Sequence, residues 1–171
     1  QLQTKREFHF TDGFDAIQQI LWGFFKKVAI ADNLFLFINT AWENMGTVGS
    51  IHLISAALLY TFQMYADFSG YSDMAIGVGR LLGIRITKNF NYPFFATTIS
   101  DFWRKWHISL TGWLTDYVFM PLNVKFRNIG KLGIILAIII NMVLVGMWHG
   151  ANWTYAVFGL YQGLLFIPMI I

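Results

Sequence analysis

Long apolar runs alternate with short polar or basic breaks along the chain, and these breaks divide it into helical segments. A membrane span needs about 20 predominantly apolar residues, and the last two runs contain no charged side chain. The pattern predicts an interfacial helix or partial span at 14–41, a long membrane helix at 51–84, a re-entrant or interfacial helix at 98–120, and transmembrane helices at 132–148 and 153–171. The predicted fold class is therefore all-α, a multispanning membrane bundle with interfacial or re-entrant helices.

Two adjacent lysines, Lys26 and Lys27, interrupt the first segment. They follow an apolar run that is too short for a full span. We therefore expect residues 14–25 to lie along the membrane surface, with both lysines among the lipid headgroups.

Polar side chains also interrupt the long second segment, which is predicted to be one tilted helix or two pieces broken near Gly70. On a helix Asp67 and Tyr71 share a stripe, whereas Asp73 points about 120° away from Asp67. Carboxylates on different faces of one helix are poorly placed to form a single binding or catalytic site. Pairing of each carboxylate with a neighbouring helix is favoured over a joint site.

The third segment has recognisable start and stop signals. Thr98 and Asp101 fit a capping box at its beginning, and Pro121 is predicted to set its end. Basic clusters at 80–88 and 125–131 flank the segment, and such clusters are typical of cytoplasmic loops. If both clusters are cytoplasmic, the segment starts and ends on one side and must be interfacial or re-entrant.

Composition agrees with a membrane protein. Of the 171 residues, 56% are hydrophobic and 12% are charged, against roughly 25% charged in soluble domains. The absence of cysteine excludes disulfides, thiolate metal sites and a cysteine nucleophile. The net charge of +3 is spread over short clusters, which does not indicate nucleic-acid binding. Both ends fall where a polytopic protein would continue, so we expect a piece of a larger chain.

Two histidines are the candidate functional residues. His149 lies between two uncharged runs, and an ionisable group in a membrane is by default functional; the alternative is a histidine bonded to a carbonyl at a helix end. His107 follows an aromatic stretch, which is as typical of an interfacial belt as of a binding site. His9, in the polar segment 1–13, is expected to be solvated.

Four motifs resemble the membrane-bound O-acyltransferases, and within them the branch that O-acetylates alginate and other bacterial cell-surface polysaccharides. They are Tyr-Ala-Asp-Phe-Ser-Gly-Tyr-Ser-Asp at 65–73, Asn-Phe-Asn-Tyr-Pro-Phe at 89–94, Asp-Phe-Trp-Arg-Lys-Trp-His at 101–107 and Trp-His-Gly at 148–150. The resemblance covers roughly residues 20–165.

The resemblance implies a multi-pass acyltransferase of the bacterial cytoplasmic (inner) membrane. It implies that His149 is catalytic and that His107 is the second important position. Expected partners are the lipid bilayer, an acyl thioester donor such as acetyl-CoA, and a polysaccharide acceptor or a periplasmic or extracellular acyltransferase; no nucleic acid is expected. The expected substrate-binding side chains are those of Trp148, Trp103, Trp106, Arg104, Asp67, Asp73 and Tyr71.

A histidine suits acyl transfer to a hydroxyl because its ordinary pKa, about 6.5, lies near working pH. With no cysteine and no serine in a nucleophile elbow, direct attack with His149 as general base is simpler than a covalent acyl-enzyme. His107 could orient the acceptor or polarise the thioester carbonyl. No bound cofactor or metal is expected, because a catalytic zinc site needs about three protein ligands and neither histidine has two further ligands at helical spacing.

Other functions remain open from the residues. One is D-alanyl transfer to teichoic acid, a related branch. Another is a transporter, with His149, Asp67 and Asp73 along a polar pathway, although the chain shows no internal repeat. A third is a non-catalytic scaffold, which would tolerate loss of both histidines.

Overall fold

A computed structural model describes residues 10–171, and over this range the chain is helical with no strand. The expected solvation of His9 lies outside the described residues. The chain forms two compact units, Gln1–Lys88 and Asn89–Ile171. The all-α prediction is confirmed for the described residues.

The described part of the first unit contains three helices: α1 (Phe10–Phe24), α2 (Asp32–Glu43) and α3 (Ser50–Leu81). A π-helical segment, Phe25–Ala31, joins α1 to α2 without a break. The helix predicted at residues 14–25 therefore continues past Lys26 and Lys27, and both lysines lie inside a continuous helical stretch. The reason is that their charges are neutralised by carboxylates of α3.

Lys26 forms an ion pair with Asp73, and its Nζ also donates to Ser69 Oγ at 3.0 Å. Lys27 Nζ lies 2.8 Å from Oδ1 of Asp67. A π-helical turn shifts the register of the side chains that follow it and is often found at functional positions. Here the two lysines contact carboxylates on different faces of α3, as the interpretation of separate pairing predicted.

Helix α3 is continuous through Gly70, so the alternative of two broken pieces is wrong. A Cβ at Gly70 would lie 2.7 Å from the carbonyl oxygen of Gly23 in α1. Glycine at this position thus permits close packing of the two helices instead of breaking one. The helix ends at Leu81, and Gly83 just beyond it has φ of 67°, with the Ile84 N–H bonded to the Gly79 carbonyl at 2.7 Å.

The second unit contains five helices among the described residues: α4 (Ile99–Lys105), α5 (Ile108–Leu114), α6 (Met120–Lys125), α7 (Lys131–Trp148) and α8 (Trp153–Leu164). A π-helical segment, Thr115–Phe119, joins α5 to α6. Short 3-10 turns lie at Pro93–Phe95, Arg127–Ile129 and Ile167–Met169.

The single helix predicted at 98–120 is wrong in two respects. It is broken at Trp106 and His107, because His107 adopts a left-handed conformation that no helix can continue through. Its predicted end at Pro121 is also wrong, since the helical chain continues through the π-helical segment Thr115–Phe119 into α6, in which Pro121 is the second residue. The start is as predicted: Thr98 Oγ1 accepts the Asp101 N–H at 3.0 Å.

Among the described residues, only Lys131–Trp148 is long and apolar enough to cross a membrane, with a mean hydropathy of 2.2. It matches the predicted span at 132–148. The predicted helix at 153–171 is wrong in length, because α8 ends at Leu164 and Pro168 lies in the turn that follows. At about 1.5 Å per residue, α8 is shorter than the apolar core of a bilayer.

Helices α7 and α8 pack closely through two glycines. A Cβ at Gly146 would lie 3.1 Å from the Cα of Gly159, and a Cβ at Gly159 would lie 2.8 Å from the Cα of Val143. Small residues at such crossings let two backbones approach in a membrane protein. This contact lies close to the end of α7 and next to the turn that leads into α8.

Candidate functional site

His107 occupies the break between α4 and α5, with φ of 46° and ψ of 53°. Only 7% of the residue is exposed. A left-handed conformation is uncommon for a residue with a Cβ, so the surrounding structure must hold it there. Such outliers often mark functional positions.

The backbone around His107 is held by a segment that precedes α4. The Asn91 N–H donates to the carbonyl of Lys105 at 3.0 Å, and the Ile108 N–H donates to the carbonyl of Asn89 at 2.9 Å. These two bonds lie on either side of the break and satisfy groups that a continuous helix would have paired internally.

His149 directly follows the last residue of α7, and its N–H donates to the carbonyl of Gly146 at 3.0 Å. The chain then turns at Gly150 into α8, whose first turn is capped by Asn152 through an Oδ1 bond to the Thr154 N–H at 3.2 Å. A Cβ at Gly150 would lie 2.8 Å from the ring of Tyr155, so the glycine leaves room for that ring.

One aromatic ring, that of Trp148, connects the two histidines. The indole of Trp148 lies edge-on to His107, with centroids 5.4 Å apart, and also edge-on to His149, with centroids 5.3 Å apart. The ring of Tyr155 is 6.3 Å from that of His149. Two histidines that are distant in the sequence therefore contact the same tryptophan.

Burial favours the neutral form of both imidazoles. Desolvation, with a smaller contribution from the nearby His149, lowers the pKa of His107 to about 4. Although His149 itself is largely exposed, partial desolvation also lowers its pKa. Both side chains are thus uncharged at neutral pH, and a neutral imidazole can accept a proton.

A cavity of about 480 Å³ lies beside α4, α5 and α7. Two of its lining residues have buried polar atoms without a hydrogen-bond partner, namely Nε1 of Trp103 and Oδ1 of Asn141. Buried polar atoms are normally paired, so these two atoms suit a ligand or water within the cavity. The other lining residues are Ser100, Arg104, Ile108, Thr111, Gly112, Thr115, Asp116, Phe119, Ile138, Met142, Val145 and Phe166.

The remaining predicted site residues have other surroundings. Trp106 stacks on Phe102, with centroids 5.6 Å apart, and meets Phe90 edge-on at 5.0 Å, so it belongs to an aromatic cluster. Asp67 and Asp73 form the ion pairs of the first unit described above. Tyr71, on the same helix, is 66% exposed.

Sequence reasoning missed Asn89, Asn141 and Tyr155 as residues of this region. Asn89 belongs to one of the motifs that carry the resemblance, which was the only available signal. The roles of Asn141 and Tyr155 depend on the packing of α7 with its neighbours and have no local signature. Within the described part of the chain, no three His, Asp or Glu side chains lie close enough to share a metal ion.

Comparisons with known proteins agree with the resemblance that the four sequence motifs show. The sequence profile of MBOAT, the membrane-bound O-acyltransferase family, matches residues 16–170. The chain is 42% identical to a probable alginate O-acetylase of Azotobacter vinelandii, in an alignment of 91% of this chain and 31% of that protein.

Two further relatives act on other polymers, according to their names. A peptidoglycan O-acetyltransferase of Helicobacter pylori is 41% identical over 83% of this chain and 27% of that protein. A teichoic acid D-alanyltransferase of Streptococcus thermophilus is 33% identical over 87% of this chain and 38% of that protein. The chain thus spans about a third of the length of the curated relatives it matches.

Proposed function

Because this chain belongs to the membrane-bound O-acyltransferase family, we propose that it is the central and catalytic portion of a multispanning enzyme that O-acetylates a cell-surface polysaccharide such as alginate. The acyl donor is a thioester such as acetyl-CoA. Relatives named for O-acetylation, at 41–42% identity, support this assignment. The bacterial inner membrane is the proposed location.

The shared contact of His107 and His149 with Trp148 is the observation that carries the proposal. It places two neutral imidazoles near each other at the end of the most apolar helix of the described chain. A pair of this kind can divide acyl transfer into proton removal and positioning of the reacting groups.

In the proposed reaction, a sugar hydroxyl oxygen attacks the thioester carbonyl carbon while His149 accepts the hydroxyl proton. The tetrahedral intermediate collapses, the carbon–sulfur bond breaks, and the thiolate leaves. The imidazolium of His149 returns the proton to the thiolate sulfur, so the products are an ester and a free thiol. His107 orients the acceptor or polarises the carbonyl.

The cavity beside Trp103 and Arg104 is the proposed place for part of the donor. The unpartnered indole N–H of Trp103 can donate to a carbonyl of the donor, and Oδ1 of Asn141 can accept from an amide N–H. Arg104, which is exposed at the cavity, suits the charged end of a phosphate-bearing donor.

The polysaccharide receives the acyl group directly, or a periplasmic or extracellular acyltransferase accepts it and passes it on. D-alanyl transfer to teichoic acid is the second candidate, favoured only by relatives at 33% identity.

The test is turnover of labelled donor by the full-length protein in detergent, with candidate polymers as acceptors. His149→Gln keeps the size and a polar end of the side chain but cannot take up the proton. We expect a fall of about 10²–10⁴-fold, the usual effect of losing a general base. His52→Gln is the matched control because His52 is an exposed histidine of helix α3, and it should leave turnover unchanged.

Near wild-type turnover of His149→Gln, normalised to folded protein, would remove His149 as the base. Absence of transfer by the wild-type protein with every donor and acceptor would favour the scaffold or transporter function instead.

A further inference from the structure

We propose that Asn89 is a positioning residue for His107, and that it holds the left-handed break in which the imidazole is presented. This inference rests on the proposed function for its catalytic consequence. Its structural basis is a set of hydrogen bonds between the segment before α4 and the first residues of α5.

Asn89 binds the start of α5 through both its backbone and its side chain. The Asn89 carbonyl accepts the Ile108 N–H at 2.9 Å. The side-chain Oδ1 accepts the Ser109 N–H at 3.2 Å and the Ser109 hydroxyl at 2.6 Å. Three bonds therefore converge on one asparagine from the two residues that directly follow His107.

These bonds replace the usual N-terminal cap of a helix. The N-cap position of α5 is His107 itself, and its side chain makes no capping bond. Asparagine is among the best capping residues when it occupies the N-cap position. Asn89 supplies the same kind of acceptor, an amide oxygen, from a position 20 residues before Ser109 in the chain.

The arrangement explains why the left-handed conformation persists. A non-glycine residue in this region is strained, and such strain persists only where the surroundings over-determine it. The Asn91 N–H bond to Lys105 holds the end of α4, while Asn89 holds the beginning of α5. His107 is fixed between these two attachments.

The orientation of His107 then determines its contact with Trp148. The two rings meet edge-on at 5.4 Å, and the same indole contacts His149. A break that is free to change its backbone angles would move the imidazole away from the indole. We therefore expect Asn89 to act on the reaction rate through His107 without contacting the substrate.

Two variants of Asn89 differ in whether the side chain has an oxygen that can accept hydrogen bonds. Asn89→Leu has a similar size but loses the side-chain acceptor, whereas Asn89→Asp retains an oxygen that can accept both Ser109 bonds. Asn128→Leu, at an exposed asparagine of the same unit, is the matched control. Ser109→Ala is the milder variant, since it removes only the hydroxyl bond.

In the full-length protein, Asn89→Leu should lower kcat at least tenfold per folded molecule, with KM for the thioester donor unchanged within about twofold. Asn89→Asp should retain more than half of kcat, Ser109→Ala should fall between the two, and Asn128→Leu should match the wild type. A wild-type kcat for Asn89→Leu, or equal losses for Asn89→Leu and Asn89→Asp, would overturn the proposal.

A readout that is independent of turnover separates this inference from the proposed function. The His107 imidazole signal, followed by NMR with labelled histidine and assigned through His107→Gln, should shift in Asn89→Leu and not in Asn128→Leu. If the wild type transfers no acyl group but the signal shifts as expected, the positioning role stands and the proposed function fails. An unshifted signal in Asn89→Leu overturns the positioning role whatever the activity.

Discussion

The indole of Trp148 lies edge-on to the imidazole of His107, with ring centroids 5.4 Å apart and ring planes at 68°. Since Trp148 immediately precedes His149 and contacts it as well, one side chain touches both candidate histidines. Trp148 is nevertheless 60% exposed, so it retains free surface for a substrate. Its position makes it a candidate for ordering both imidazoles during the reaction.

Replacing Trp148 should therefore reduce turnover through both histidines. We expect Trp148→Ala to lower kcat by about tenfold or more, because small displacements of reacting groups cost large factors in rate. Trp148→Phe, which retains an aromatic ring, should lose less. Trp153→Ala is the control, since Trp153 is 85% exposed. Equal turnover of Trp148→Ala and Trp153→Ala in a donor assay would contradict this role.

Gly150 should be intolerant of even a methyl group. Its Cβ would lie 2.8 Å from the Tyr155 ring, which must then shift, and that ring neighbours His149. Because Gly150 also has φ of 157°, which strains any residue with a side chain, Gly150→Ala should lower both turnover and the yield of folded protein. Gly46→Ala, where a Cβ meets no atom within 4 Å, should be neutral. Activity assays normalised by size-exclusion yield measure both effects, and a fully active Gly150→Ala would refute the prediction.

The limits of sequence reasoning are clearest at His107. Local propensity favours one continuous helix through Trp106 and His107, because residues 99–111 contain neither glycine nor proline. The break depends on hydrogen bonds from Asn89 and Asn91, which lie well before α4 in the chain. Such non-local bonds have no signature in a periodicity of polar and apolar residues.

For helices α7 and α8 the sequence does contain the signals that define their bounds. The charge-free run at 132–148 was predicted to within one residue, because apolar length alone defines such a helix. Pro168 was an available stop signal for α8 that a count of apolar residues overlooks. The pairing of Lys26 and Lys27 cannot be read from local sequence, because their partners, Asp73 and Asp67, are far along the chain.

The pKa shifts predict how the protein responds to acid. The pKa of His107 is about 4 in the folded protein, against about 6.5 when unfolded. Between these values the unfolded chain binds more protons, so stability falls as pH decreases from about 6.5 to about 4. Thermal unfolding in detergent should show this loss, and His107→Gln should reduce it. An unchanged pH slope in His107→Gln would contradict the shift.

Activity should respond to pH through His149. Its pKa is lowered by desolvation, so the neutral, proton-accepting form persists somewhat below the ordinary value of about 6.5. Initial rates of acyl transfer should remain level from pH 8 to about 6.5 and decline at lower pH. A rate that already halves above pH 7 would indicate a raised pKa and contradict the assignment.

The basic clusters predict the orientation of the chain in the membrane. Lys88 and Lys125 should face the cytoplasm and Asn152 the opposite side, because lysine and arginine concentrate in cytoplasmic loops. Single cysteines at these positions, in a cysteine-free full-length protein, can be labelled from either side of inverted and right-side-out vesicles. Labelling of Lys88→Cys and Lys125→Cys from opposite sides would exclude a re-entrant or interfacial segment between them.

The ion pair of Lys26 with Asp73 should stabilise the first unit more than an exposed pair would. The lysine and aspartate side chains are only 12% and 23% exposed, and Asp73 also accepts a bond from Gln19 Nε2 at 3.0 Å. Removing one partner leaves the other charge largely buried. We expect Lys26→Met to lower the free energy of unfolding by about 1–3 kcal/mol, between the values for exposed and fully buried pairs.

A double-mutant cycle distinguishes this pairing from a general effect of substitution. Lys26→Met together with Asp73→Leu removes both charges, so the double variant should be more stable than the sum of the two single losses predicts. Asp32→Asn, which changes the more exposed of the carboxylates near Lys27, should have little effect. Thermal unfolding of the full-length protein in detergent provides the measurement. Strictly additive losses would show that the two side chains do not depend on each other.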